Sequence, residues 1–108
     1  LETKAQNWKN LLLNEREKRI RPGLDDKILA SWNALTISGL VNCYKAFGNS
    51  GYLELALANA NFLKQKMMNG DGELLHSYKN NQAKISGFLE DYALVIEAFT
   101  VIFETTGK

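Results

Sequence analysis

Two pairs of adjacent acidic residues and one histidine are the side chains of this sequence best suited to chemistry. The pairs are Asp25-Asp26 and Glu90-Asp91, 65 residues apart from Asp26 to Asp91, and His76 lies between them. Two carboxyl groups can act at a sugar linkage as acid and as base or nucleophile. An imidazole can transfer a proton or bind a hydroxyl. All five residues are therefore candidate catalytic residues.

Other side chains in the same stretches are of the types that bind sugars. Aromatic faces stack on a pyranose ring, and amide and guanidinium groups bind its hydroxyls. A lone histidine cannot build a metal site, and the single cysteine excludes an internal disulfide, a CxxC pair or a zinc cluster. We therefore expect no metal and no cofactor. The candidate substrate-binding residues are Arg21, Trp32, Asn33, Tyr78 and Tyr92.

Several candidates also have a purely structural interpretation. The first acidic pair can cap a helix or form a salt bridge with Arg21 or Lys27. The second pair is favoured by the dipole in the first turn of a helix. Trp32 can belong to the core, and Asn33 can bond to neighbouring backbone. For His76, the alternative to catalysis is to line a cavity and bind a ligand by hydrogen bonding. Position alone does not separate these alternatives.

The elements that would position these residues are four helices and a hairpin. Pro22 excludes α geometry at the residue before it and so ends the first helix. A dense set of turn formers at 69–72 ends the third, and a loosely alternating stretch with Asn80-Asn81 follows. The predicted helices span 3–19, 26–47, 51–68 and 87–105. Residues 73–84 are expected to form a small hairpin, which would rest on the helices, or an irregular excursion.

Capping residues predict the helix boundaries. Asp25 or Asp26 is expected to cap the second helix, Ser50 the third and Ser86 the fourth. Gly48 and Gly107 are expected to close the second and fourth helices, because glycine adopts the left-handed conformation common after a helix.

The helices alternate in character along the chain. The first and third are amphipathic, whereas the second and fourth are apolar on nearly every side, which is typical of helices buried on every side. This order predicts an all-α fold of helical hairpins in two concentric layers. Repeat arrays usually need about three units or more, so we expect the chain to be a fragment of a longer domain that self-associates when isolated.

Composition excludes several classes of partner. Thirteen basic and twelve acidic residues give a net charge of +1, which does not suggest binding to nucleic acid. No apolar run has transmembrane length and no signal-peptide pattern is present, so we expect no membrane partner and a cytoplasmic location. Cys43 lies inside an apolar helix, which predicts a buried, inert thiol.

Two segments resemble the YyaL-type family. One is Arg21-x-Gly-Leu-Asp-Asp-Lys-Ile-Leu-x-Ser-Trp-Asn-x-Leu35, and the other is Phe88-Leu-Glu-Asp-Tyr-Ala93. Members of this family are long proteins in which a six-hairpin, glycosidase-like α/α toroid follows a thioredoxin-like N-terminal domain; an animal relative is a spermatogenesis-associated protein. Ala34 stands where the family usually has Gly, and Glu90 where it usually has Asp.

The resemblance covers about residues 20–106 and implies a fold more than a reaction. It implies that 1–108 is part of the toroid, in an incomplete (α/α)6 arrangement, and that the thioredoxin-like domain is absent from this segment. The partners it implies are the remaining hairpins, the thioredoxin-like domain, and a sugar or other small-molecule ligand.

Two hypotheses about function remain. In the first, the parent protein is a carbohydrate-active enzyme that hydrolyses or epimerises a sugar, and this segment supplies part of its pocket. A hydrolase would depend on the carboxyl pairs, whereas an epimerase would depend on His76 as a base. In the second hypothesis, the toroid is a noncatalytic scaffold or binding module that serves the thioredoxin-like domain.

Overall fold

Four helices account for most of the chain. The computed structural model describes residues 1–107 and confirms the mostly α fold class. Its helices are Glu2–Glu17 (α1), Ala30–Phe47 (α2), Ser50–Lys66 (α3) and Leu89–Thr106 (α4). Its strands are Ile28–Leu29 (β1), Leu75–Lys79 (β2) and Gln82–Ser86 (β3).

The helix α2 lies at the centre and packs against both α3 and α4. The core is formed where these helices meet, from Ala34, Ile37 and Val41 of α2, Ala56 and Leu63 of α3, and Val95, Ala98 and Ile102 of α4. Within the described residues, α2 and α4 are not buried on every side. Trp32 of α2, for example, is 69% exposed, because α3 and α4 cover only part of the surface of α2.

The start of α2 differs from the prediction. The helix begins at Ala30 rather than at residue 26, and its N-cap residue is Leu29, which provides no side-chain cap. The expectation that Asp25 or Asp26 caps it is therefore wrong. The reason is that Ile28 and Leu29 form strand β1 and pair with Tyr78 and Ser77 of β2, which keeps this segment extended.

The predicted hairpin is confirmed, and β1 extends it to a three-stranded antiparallel sheet in the order β1-β2-β3. Asn80 and Asn81 form its turn with φ of 53° and 61°, the left-handed pair that a two-residue turn of this kind requires. The ring of Tyr78 contacts that of Phe62 in α3 edge-on, with centroids 5.1 Å apart. The sheet therefore rests on the helices, as predicted.

Glycines close the helices as predicted, whereas the start caps differ. Gly48 and Gly107 follow α2 and α4 in the left-handed conformation, with φ of 70° and 73°. Asn49, not Ser50, caps α3, because its side chain accepts the N–H of Gly51 at 2.9 Å. Ser86 does not cap α4, because it pairs with Leu75 in the sheet; the N-cap residue is Phe88.

The helix α1 stands apart from this arrangement. It has no buried residue, so its apolar stripe of Trp8, Leu11 and Leu12 is unpacked within residues 1–107. The radius of gyration is 19.2 Å, whereas a compact domain of this length has about 13 Å. Among the described helices, none is both long enough and apolar enough to cross a membrane.

Candidate functional site

An aspartate and a histidine form the centre of the candidate site. The Nδ1 atom of His76 in β2 lies 2.7 Å from Oδ2 of Asp91 in α4. The Asp91 side chain is completely buried, whereas that of His76 is 16% exposed. The structure therefore brings together two of the candidate catalytic residues, 15 positions apart in the sequence.

The carboxylate of Asp91 also joins two helix N-termini. Its Oδ1 accepts the backbone N–H of Ser31 at 3.2 Å, and its Oδ2 accepts the N–H of Phe88 at 2.9 Å. Ser31 lies in the first turn of α2 and Phe88 is the N-cap of α4, so both N–H groups belong to positive helix ends. These donors compensate the cost of burying the carboxylate.

The contact with Asp91 fixes the orientation of the imidazole. A carboxylate only accepts hydrogen bonds, so Nδ1 of His76 carries the proton and the lone pair of the neutral ring lies on Nε2. No buried polar side-chain atom in residues 1–107 lacks a partner, and Nε2 makes no hydrogen bond to these residues. Nε2 is therefore open to solvent. A carboxylate that orients an imidazole with a free nitrogen is the arrangement of a general base.

A half-exposed aromatic ring lies beside this imidazole. The ring centroids of Phe88 and His76 are 4.5 Å apart and their planes are inclined by 48°. Phe88 is 52% exposed, although its backbone is held by Asp91. The imidazole therefore adjoins a half-exposed, apolar aromatic ring.

The strand opposite His76 has an unusual backbone conformation. Ile85 of β3 lies between the paired positions Leu75↔Ser86 and Ser77↔Lys84, opposite His76, and has a φ of 64°. A β-branched residue in this left-handed region is strained, and such strain is concentrated at functional sites.

The other candidate carboxylates do not join His76 and Asp91. Asp26 forms a salt bridge with Lys79 at 3.1 Å, and Asp25 one with Lys27 at 3.7 Å. Since residues 28–29 form β1, the first acidic pair precedes a strand and does not lie at the entrance of α2. Glu90 is exposed on α4, next to Asp91 in sequence.

The pKa of the Asp26 carboxyl group is lowered from its usual value of 3.8. The largest cause is the hydrogen bond from the side chain of Lys79, opposed by a smaller effect of desolvation. This is the behaviour of a surface carboxylate held by a lysine, which favours its charged form.

The candidate substrate-binding residues have different environments. Arg21 forms a salt bridge with Glu17, and Asn33 donates to the carbonyl of Leu29 at 2.8 Å, the backbone bond considered for it above. Trp32 is exposed rather than in the core, so its aromatic face remains free for a ligand.

The two tyrosines among the candidate substrate-binding residues use their hydroxyl groups for hydrogen bonds in and beside the sheet. Tyr78 donates its hydroxyl to Asn81 at 3.3 Å. The hydroxyl of Tyr92 accepts the N–H of Leu74 at 2.9 Å, and the carbonyl of Leu74 accepts the N–H of Gly87 at 2.8 Å. Tyr92 and Gly87 thus hold Leu74 in place, immediately before β2, and β2 carries His76.

Two participants, Ser31 and Phe88, were missed as site residues. Ser31 contributes only its backbone N–H, for which the sequence holds no side-chain signal. The Phe88 contact does have a side-chain signal in the sequence, because an acidic residue three positions after an N-cap often accepts the N-cap N–H. The described residues contain no group of three or more His, Cys, Asp or Glu placed to hold a metal ion.

Comparison with known proteins gives relatives but no family. No family model matches the chain. An uncharacterized protein of Caenorhabditis elegans is 35% identical over 108 residues, which is 93% of this chain and 15% of that protein. Spermatogenesis-associated protein 20 of Homo sapiens is 31% identical over 90% of this chain, and that of Mus musculus is 32% identical over 90%. The chain spans only 13 to 15% of the length of these relatives.

Proposed function

We propose that this chain is part of the α/α toroid of a YyaL-type protein, and that the full-length protein epimerises or isomerises a sugar with His76 as its general base. The similarity to spermatogenesis-associated protein 20, over 90% of the chain, supports the first part. The observation that carries the second is the contact of 2.7 Å between His76 Nδ1 and the buried Asp91, with Nε2 left open to solvent.

In the proposed reaction, His76 removes a proton from a carbon next to the carbonyl group of an open-chain sugar. The C–H bond breaks, a bond from the proton to Nε2 forms, and the electron pair moves to the carbonyl oxygen to give an enediolate. Asp91 stabilises the imidazolium that results, as the buried carboxylate does in other such pairs. Return of a proton to the carbon, or to its neighbour, gives the epimer or the isomer. This chemistry needs no cofactor.

Hydrolysis, the other sugar reaction considered, has less support. It requires two carboxyl groups that flank the glycosidic bond. Asp91 is completely buried and both of its oxygens already accept hydrogen bonds, so it is poorly placed to contact a sugar. Asp25 and Asp26 form salt bridges with Lys27 and Lys79 instead of facing His76 and Asp91.

Deuterium exchange tests the proposal without knowledge of the product. The full-length protein is incubated in D₂O with a panel of reducing sugars, and deuterium on carbon is detected by NMR. We expect one sugar to exchange, and His76→Gln to slow this exchange by roughly 10²- to 10⁴-fold. Glu97→Gln, at an exposed position of α4, is the matched control and should not change the rate. Equal rates for wild type and His76→Gln would contradict the role of His76.

A noncatalytic scaffold is the second candidate function, and the bonds of Asp91 favour it. His76, Ser31 and Phe88 all bind this one carboxylate, so it joins β2, α2 and α4 whether or not catalysis takes place. A scaffold for the thioredoxin-like domain would show no exchange with any sugar. His76→Gln would then lower its stability and leave nothing else changed.

A further inference from the structure

We propose that Phe88 is the residue that selects the substrate, by stacking on the apolar face of a pyranose ring and holding it at Nε2 of His76. This inference rests on the proposed function and adds the form in which the sugar first binds. The closed pyranose binds; its ring then opens, with loss of the anomeric hydroxyl proton and gain of a proton on the ring oxygen, before His76 removes the proton from carbon. Phe88 was not among the candidate residues of the sequence.

The first argument is that Phe88 and His76 are fixed to the same atom. Oδ2 of Asp91 accepts both the backbone N–H of Phe88 and Nδ1–H of His76, at 2.9 and 2.7 Å. Their relative position is therefore set by a completely buried carboxylate. The backbone of Phe88 and the base are thus tied to one carboxylate, which keeps the phenyl ring beside the imidazole, as a site that orients a substrate requires.

The second argument is the exposure of the two rings. The imidazole is mostly covered, with Nδ1 directed to the interior, so a ligand reaches it from the edge that carries Nε2. Phe88 adjoins this imidazole at 4.5 Å and is half-exposed. Leu89, the next residue, is more exposed still but has no aromatic ring. Exposure alone therefore does not distinguish Phe88; its position beside the base does.

The third argument is the match to the ligand. A pyranose has C–H groups on its faces and hydroxyls around its rim. The C–H face suits the apolar face of an aromatic ring, while a rim hydroxyl can donate to the lone pair of Nε2. A phenyl ring next to an imidazole with a free nitrogen offers both contacts.

The test uses methyl pyranosides of glucose, mannose and galactose as probes, with the full-length protein. A methyl glycoside cannot open to the free carbonyl form, so it reports binding without reaction. Dissociation constants are measured by ligand-observed NMR for wild type, Phe88→Leu and Phe88→Trp, with Leu89→Ala as the matched control. Phe88→Leu keeps the apolar bulk and the backbone N–H, and removes only the aromatic face.

We expect at least one probe to bind, and Phe88→Leu to weaken it by about threefold to tenfold. Phe88→Trp should retain the affinity, and Leu89→Ala should not change it. Equal affinity for wild type and Phe88→Leu would overturn the inference, as would failure of the wild type to bind any of the three probes. The exchange experiment with His76→Gln judges the proposed reaction separately, so the two can fail independently.

Discussion

The buried carboxylate of Asp91 accepts the backbone N–H of Ser31, which lies 60 residues earlier in the chain, at 3.2 Å. The N-cap residue of α2, Leu29, offers no side chain to the first turn of its helix. A residue of α4 therefore does what a local cap usually does, and the same carboxylate serves α4 through Phe88. This contact fixes the two central helices relative to each other at the site of His76.

Removal of Asp91 should accordingly be costly. Asp91→Ala leaves the N–H groups of Ser31 and Phe88 and Nδ1 of His76 without their acceptor, and breaking a buried charged contact typically costs about 3 to 5 kcal/mol. Urea unfolding followed by circular dichroism measures this loss. The adjacent Glu90→Ala is the control and should cost less than about 1 kcal/mol. Equal effects of the two substitutions would show that Asp91 does not hold the helices.

Alanine substitution at Gly87 and at Gly39 should change the stability of the fold in opposite directions. A Cβ added at Gly87 would lie 2.8 Å from the carbonyl oxygen of Leu74 and 3.0 Å from the Tyr92 ring, which predicts a loss of about 1 to 3 kcal/mol. A Cβ at Gly39, inside α2, meets nothing within 4 Å, so alanine should stabilise by about 0.5 to 1 kcal/mol. Thermal unfolding compares the two. A stabilised Gly87→Ala would contradict the close contact of this segment with Leu74.

Ile85 should tolerate replacement by a residue suited to its backbone. Its φ of 64° costs an ordinary side chain roughly 1 to 2 kcal/mol, whereas asparagine adopts this region more readily. Ile85→Asn should therefore raise the free energy of unfolding by about 1 kcal/mol. Ile85→Val, which remains β-branched, is the control and should bring no gain. A less stable asparagine variant would show that the left-handed conformation is not adopted.

The surface pair Asp26–Lys79 should give a small, acid-sensitive contribution to stability. The folded pKa of Asp26 is lowered from 3.8, so the unfolded state binds the proton more tightly. The contribution is present above the unfolded pKa and is lost as pH falls through the folded value. Lys79→Met should therefore destabilise slightly at neutral pH and have no effect at pH well below the folded pKa, as measured by urea unfolding at each pH.

Asp71→Asn serves as the matched control for this pair, because Asp71 is an exposed carboxylate in the turn after α3. This substitution should not alter how the effect of Lys79→Met on the free energy of unfolding depends on pH. A difference between wild type and Lys79→Met that persists unchanged in strong acid would mean that Lys79 acts through packing and not through Asp26.

Local signals in the sequence predict those parts of the fold that depend on neighbouring residues. Gly48 and Gly107 close their helices because their conformational freedom is local, and Asn80-Asn81 forms its turn for the same reason. The cap at Asp26 failed because Ile28 pairs with Tyr78 of a distant strand. A carboxylate before a helical pattern carries no information about such a pairing.

The candidate site was predicted only in part, because residue types are visible in the sequence whereas contacts between distant segments are not. His76 and Asp91 stand out by residue type, and the structure brings them together through the contact between β2 and α4. The sequence also placed Asp26 with them, on the assumption that both acidic pairs enter helices in the same way. Since β1 forms instead, Asp26 lies beside Lys79. Ser31 and Phe88 act through backbone groups, which residue types do not reveal.

The exposed apolar surface of the helices predicts that the isolated chain self-associates. Leu89, Ile96 and Phe103 are spaced by seven residues along α4 and all three are exposed, so they form one stripe on that helix. Trp8, Leu11 and Leu12 of α1 are exposed as well. Contiguous apolar surface of more than a few hundred Å² usually drives association in water. We therefore expect oligomers of residues 1–108 in sedimentation velocity, increasing with concentration.

Charged substitutions on this stripe of α4 locate the contact. Ile96→Glu and Phe103→Glu should shift the chain towards monomer, because each would bring a charge into the apolar interface at a cost in desolvation. Glu104→Lys also changes charge at an exposed position of α4, next to Phe103, and should leave the association nearly unchanged. A wild-type chain that sediments as a compact monomer and binds no hydrophobic dye would contradict the prediction, because its apolar stripes would then be covered within one molecule.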